Sequence, residues 1–131
     1  MKKQRSMKAI ERELWELCRQ ITFKTHGNTC YTCGAKELTG INRQCGHYFP
    51  KGALGASLKY DTRILRPQCF HCNINLGGMG AVYREKMKEE IGALAEQSLY
   101  NECTASKGFP IKARDHYDML IHTYTEKLLS L

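Results

Sequence analysis

The sequence predicts an α+β fold in which a small ββα core lies between longer helices at the two ends of one domain. Three observations carry this reading. Two Cys-x-x-Cys pairs, Cys30 with Cys33 and Cys69 with Cys72, bracket a segment of 35 residues. Inside that segment, two short runs with strand character are separated by loop glycines. Before the first pair and after the second, apolar residues recur at helical spacing. A chain of 131 residues with 42% hydrophobic and 25% charged residues can bury one modest core, which excludes large multidomain enzymes.

Met7, Ile10, Leu14, Leu17, Cys18 and Ile21 recur at steps of three and four and predict an amphipathic helix over 6–24, ending near His26-Gly27-Asn28. Its opposite face carries Lys8, Arg12, Arg19 and three glutamates. The run from Arg43 to Phe49 stops at Pro50 and reads as a strand. Lys59-Tyr60 and Ile64-Leu65 flank a second extended piece, with Gly52 and Gly55 in the loop between. A short helix is expected to start at the second Cys pair and to be interrupted by Gly77-Gly78-Met79-Gly80. One longer helix is then expected from Ala81 to Leu99, apolar at Val82, Met87, Ile91 and Leu94, with Gly92 as its weak point. Lys107-Gly108-Phe109-Pro110 is a loop. Tyr117, Leu120, Ile121, Tyr124 and Leu128 give a last amphipathic helix from Ala113. The domain thus divides into an N-terminal helix (6–26), a central ββα core (28–80) and a helical C-terminal part (81–131).

Seven cysteines, an odd number, argue against a fully paired disulfide framework. The two Cys-x-x-Cys pairs each present two thiolates, and together they suit one tetrahedral Zn²⁺ with Zn–S distances of about 2.3 Å. Four sulfur ligands leave no open coordination position, so this zinc is expected to be structural. Cys18 is expected in the core, and Cys45 and Cys103 as reduced bystanders. The alternative, a redox dithiol protein, lacks a βαβ pattern around either pair.

Charge points to a polyanion. The net charge is +7, and the first 80 residues hold 13 basic and 5 acidic side chains against 7 and 8 in the remaining 51. Such a one-sided positive field suits nucleic acid. A membrane is not expected, because no basic amphipathic segment has a Trp- or Phe-rich face and no run approaches the length of a spanning helix. The charged start, MKKQRSMKAIERE, is unlike an apolar signal segment, so a cytoplasmic protein is expected, in the host cytoplasm if phage-encoded.

Within the expected core, His47 lies on the first strand and Asn73 directly follows Cys72. If zinc fixes the helix against the hairpin, an imidazole and an amide oxygen share a cleft. Arg43, Lys51, Lys59, Arg63 and Arg66 are then available to hold phosphates. Phosphodiester hydrolysis needs an activated water, a cation to offset phosphoryl charge, and positioning. A histidine is neutral enough near pH 7 to act as the base, and an amide oxygen suits a Mg²⁺ or Mn²⁺ that keeps most of its waters.

The motifs Cys30-x-x-Cys33, Gly46-His47-Tyr48, Leu58-Lys59-Tyr60-Asp61, Pro67-Gln68-Cys69, Cys72-Asn73 and Leu76-Gly77-Gly78 followed by Tyr83-Arg84 resemble the lambda-type NinG (Rap) recombination endonuclease family. More broadly, the element order is similar to that of the HNH, or ββα-metal, nucleases of treble-clef type that include phage endonuclease VII. The resemblance spans about residues 28–95. It implies a Mg²⁺-dependent endodeoxyribonuclease acting on branched DNA such as Holliday junctions in phage recombination. On the matching positions it implies His47 as general base, Asn73 as ligand of the catalytic metal, and Cys30, Cys33, Cys69 and Cys72 as the zinc site.

Two positions depart from the broader HNH pattern. Gly46 stands where many such enzymes have a metal-binding Asp before the histidine, which leaves Asn73 as the direct protein ligand. Ile64 stands where the motif has its middle Asn, which braces the hairpin loop, and Asp61 is the candidate to replace that brace. A noncatalytic zinc-stapled nucleic-acid-binding module and a general nicking nuclease are the competing readings. Because resolving a junction takes two nicks on symmetry-related strands, a homodimer is expected. The apolar faces of the terminal helices are available either to build that dimer or to cover the core.

Overall fold

The computed structural model describes residues 4–131. Lys2 and Lys3, part of the basic first half, lie outside the described residues. Four helices surround one antiparallel hairpin: α1 (Met7–His26), β1 (Gln44–His47), β2 (Leu65–Gln68), α2 (Gly80–Ile91), α3 (Ala93–Ala105) and α4 (Ala113–Ser130). A single turn of π-helix, His71–Asn75, follows the second Cys pair. No described helix is long and apolar enough to cross a membrane.

Helix α1 begins where the Ser6 hydroxyl accepts the Ala9 N–H, and it ends at Gly27. Its apolar face, Ile10, Leu14, Cys18 and Ile21, packs against Tyr117 and Tyr124 of α4 and against Cys45 and Leu65 of the hairpin. The apolar faces of the terminal helices therefore cover the core. Tyr124 completes this layer by donating its hydroxyl to the Tyr60 carbonyl at 2.8 Å.

The hairpin pairs Gln44 with Gln68, Cys45 with Pro67, Gly46 with Arg66 and His47 with Leu65. Side chains alternate between the two faces of a strand, so this register sends Cys45, His47 and Leu65 toward α1 and sends Tyr48, Arg66 and Gln68 to the other side. On that other side Tyr48, Ile64, Tyr83, Met87, Leu99 and Cys103 form a second core beneath α2 and α3. The buried Tyr83 hydroxyl donates to the Gly46 carbonyl at 2.8 Å and so ties α2 to β1 beside His47.

Two expectations are corrected. The second strand lies at Leu65–Gln68, later than the stretch from Lys59 to Leu65, because a turn intervenes. In that turn Asp61 accepts the Arg63 N–H and caps a single 3₁₀ turn at Thr62–Ile64. Asp61 thus braces the hairpin loop, while Ile64 is a fully buried core residue. The single helix expected over Ala81–Leu99 is two helices, broken at Gly92, whose φ of 91° an L side chain rarely adopts. Gly92 donates to the Lys88 carbonyl and accepts from the Glu96 N–H, closing one helix and opening the next. As a result Ile91 and Leu94 are exposed, and Leu99 and Cys103 supply the apolar contacts instead.

Candidate active site beside a four-cysteine cluster

The first Cys pair sits in a tight loop whose Tyr31 N–H donates to the Pro67 carbonyl at 2.8 Å, which docks the loop against β2. Strand β2 runs directly into the second pair. The sulfurs of Cys30, Cys33, Cys69 and Cys72 consequently lie within 4.8 Å of one another. Cys33 and Cys69 are 3.7 Å apart, far beyond a disulfide and close to the edge of a tetrahedron with 2.3 Å arms, which is about 3.8 Å. Burial pushes the Cys30 thiol up, but hydrogen bonds from the Thr32 side chain and from backbone groups outweigh it and bring the pKa down to about 6. Burial and the neighbouring sulfurs push the Cys72 thiol the other way, up to about 12, so the case for a metal rests on geometry: the converging four-sulfur set could hold a structural zinc and does not resemble two separate redox pairs. Cys18, Cys45 and Cys103 are all buried and free, as core residues.

His47 and Asn73 line the same cleft, of about 420 Å³, together with Trp15, Arg19, Gln44, Lys51 and Ile74. The His47 Nε2 lies 3.1 Å from the Lys59 carbonyl. A carbonyl only accepts, so the ring donates from Nε2 and carries its lone pair on Nδ1. The indole of Trp15 lies flat on the imidazole, with ring centroids 5.4 Å apart and planes 4° from parallel. Burial pushes the His47 pKa down to about 4; its bond to Lys59 opposes this, and the charges of Lys51 and Lys59 add to it. At neutral pH the imidazole is uncharged.

Asn73 occupies the π-helical turn, anchored by its N–H to the Cys69 carbonyl at 3.0 Å. Its side chain caps no helix. Its Nδ2 donates to Gln44 Oε1 at 3.3 Å, so Oδ1 is the amide atom that could meet a cation. Among the described residues no acidic side chain lines the cleft. Asn73 Oδ1 is the side-chain amide oxygen here that could contribute to a divalent cation, and with no carboxylate beside it the remaining ligands would have to come from water and substrate phosphate. Gly46 cannot be read as an interchangeable position: a Cβ there would run into the Gln68 side chain. Gln68 is fully buried and pinned by bonds from its Nε2 to Thr32 Oγ1 at 3.1 Å and to the Gly78 carbonyl at 2.9 Å.

The five basic residues expected to hold phosphates divide. Lys51 lines the cleft with its ammonium 5.7 Å from the Trp15 ring centre, and Lys59 supplies the carbonyl that orients His47. Arg43 lies over the Phe23 ring at 4.0 Å and is outside the cleft lining. Arg63 is tied to Asp61 and Glu102 at 2.8 and 2.9 Å. Arg66 is only 4% exposed, paired with Glu90 at 2.6 Å, and donates to the Arg63 and Leu65 carbonyls. The strand period places it on the face away from His47. Among the polar and aromatic cleft residues, Gln44, Trp15 and Arg19 received no role in the site from the sequence. Trp15 and Arg19 lie four apart on α1, a spacing visible in the sequence, but only the packing of α1 on the hairpin aims them at His47.

A family model described as the bacteriophage lambda NinG protein matches residues 1–131, the whole chain. The chain belongs to the NinG family. The match extends the motif resemblance of residues 28–95 to both terminal helices, so α1 and α4 are part of the NinG unit. No curated protein and no solved structure matches this NinG-family chain.

Proposed function

We propose that this NinG-family protein is a metal-dependent endonuclease that hydrolyses DNA phosphodiesters, with His47 as general base and Asn73 as the protein ligand of a Mg²⁺ or Mn²⁺ ion. The observation that supports it most is the state of His47: one nitrogen is committed to the Lys59 carbonyl, the other is a free acceptor, and the ring is uncharged in a cleft shared with Asn73. His47 Nδ1 takes a proton from a water whose oxygen bonds to phosphorus, and the ester bond opposite breaks. The leaving oxygen takes its proton from solvent. Arg19 and Lys51 offset the charge of the bound phosphate, and the Trp15 stack with the Lys59 bond keeps the imidazole in one orientation. The metal, when bound, supplies charge stabilisation to the phosphoryl and leaving oxygens.

Branched DNA is the substrate favoured within this reading, supported by the motif resemblance and by membership of a family named for a phage lambda protein. Two nicks would then require two chains related by a two-fold axis. The cleft's lack of a carboxylate favours the competing reading, a noncatalytic zinc-stapled DNA-binding module. Plasmid nicking in Mg²⁺ separates them. Wild-type protein should nick, and His47→Ala should lose on the order of 10² to 10⁴ in rate while keeping its affinity for DNA. Equal cutting by the variant would remove His47 from this role. Competition at about 0.15 M salt between a four-way junction and an equal-length duplex, with the mass measured in solution, tests substrate and dimer.

A further inference from the structure

Lys8, Arg12, Trp15 and Arg19 stand at steps of four, three and four along α1. At 3.6 residues per turn they share an arc of about 60°, and the row is about 16 Å long. Its inner end is the cleft, because Trp15 is stacked on His47 and Arg19 lines the wall beside it. Its outer end is exposed: Lys8 and Arg12 are open to solvent, and among the described residues neither is paired with a carboxylate. Among the described residues no α1 glutamate forms an ion pair with Lys8 or Arg12: Glu13 is bound to Arg5 at 2.6 Å, and Glu16 borders Arg19 at 3.8 Å.

The geometry points to α1 as a docking track for the phosphate backbone of one duplex arm, leading from Lys8 and Arg12 through Arg19 to the cleft. This rests on the nuclease reading and adds the surface that delivers the substrate. A row of about 16 Å runs beside roughly five phosphates of one B-form strand at 3.4 Å of axis each, so three spaced cations engage a duplex without reading its bases. An anionic membrane suits the row less well. Its one aromatic ring lies flat on His47, where it cannot insert into lipid, and the row ends in a cleft instead of an open plane.

Trp15 is the sole tryptophan, so its fluorescence reports an occupant of the track directly. The test titrates full-length protein with a 20-base-pair duplex at several salt concentrations. It compares wild type with Lys8→Ala/Arg12→Ala and with Lys86→Ala/Lys88→Ala, which removes equal charge from α2. Alanine preserves an exposed helix, and unchanged circular dichroism and zinc content confirm folding. Wild type should show a Trp15 intensity change. The α1 variant should bind about tenfold more weakly at about 0.15 M salt, with a log–log salt slope shallower by about 2, while the α2 variant binds like wild type. An α1 variant that binds like wild type, or an α2 variant that weakens as much, overturns the track and leaves the nuclease reading standing. Wild-type protein that binds no duplex overturns the track, while the nuclease reading stands or falls on plasmid nicking. Tighter binding to anionic lipid vesicles than to duplex, lost in the α1 variant, would assign the row to a membrane and overturn the inference.

Discussion

The side-chain amide of Gln68 occupies the space that a Cβ on Gly46 would need. The two residues are on neighbouring positions of the paired strands, one step before His47 and one before Cys69. That packing gives a physical reason for glycine at the position before His47. Gly46→Ala should destabilise the fold by about 1 to 3 kcal/mol through overpacking. Combining it with Gln68→Ala should recover part of that loss, because the obstructing amide is gone. Additive losses in a double-mutant cycle by chemical denaturation would show that the two side chains do not compete.

The Trp15 ring stacks on His47, whose burial pushes its pKa down to about 4. Trp15→Ala should let water reach the imidazole and raise its pKa toward the ordinary value of about 6.5. Proton NMR titration of His47 reads this directly, and the acid limb of the cleavage rate should move to higher pH with it. An unchanged titration midpoint would assign the burial to other neighbours.

The same depressed pKa has a consequence for stability. The unfolded histidine titrates near 6.5 and the folded one near 4, so between those values the unfolded chain binds more protons and stability rises with pH. The contribution from His47 is present in full above about pH 6.5. It is lost as pH falls through 4, on the order of 3 kcal/mol in total. His47→Gln should flatten the dependence of unfolding free energy on pH over that window. An identical slope in the variant would locate the titrating group elsewhere.

Arg66→Ala should act on stability, in contrast to Lys51→Ala. Removing the guanidinium leaves Glu90 without its partner and two carbonyls without a donor, at a cost of about 2 to 4 kcal/mol. Lys51→Ala should leave the melting temperature nearly unchanged and weaken DNA binding. A folded, stable Arg66→Ala protein with weakened DNA affinity would reverse these roles.

Purified protein should carry about one zinc per chain, and Cys69→Ser or a strong chelator should unfold the region around the hairpin. The cluster joins the loop at residues 30–33 to the end of β2, so metal binding free energy is also folding free energy there. Elemental analysis finding no zinc in folded protein would remove the metal from this cluster.

The sequence by itself determined the parts of the protein that depend on local spacing. Two Cys-x-x-Cys pairs are a four-sulfur cluster wherever the chain folds back on itself, and apolar steps of three and four make α1 and α4. The motif order was enough for the NinG resemblance. Tertiary structure alone decided what long-range packing controls. The fate of each arginine is one such case: Arg66 and Arg63 look like surface cations in the sequence, and partners 24 and 39 residues away take them up. The break at Gly92 is another, since glycine is merely tolerable in a helix until the packing of Leu99 and Cys103 rewards a turn. The state of His47 is the third. Its tautomer depends on the carbonyl of Lys59, 12 positions distant, and its uncharged state on burial in a cleft that Trp15, 32 positions distant, helps to line, and no local pattern records a contact made by folding α1 across the hairpin.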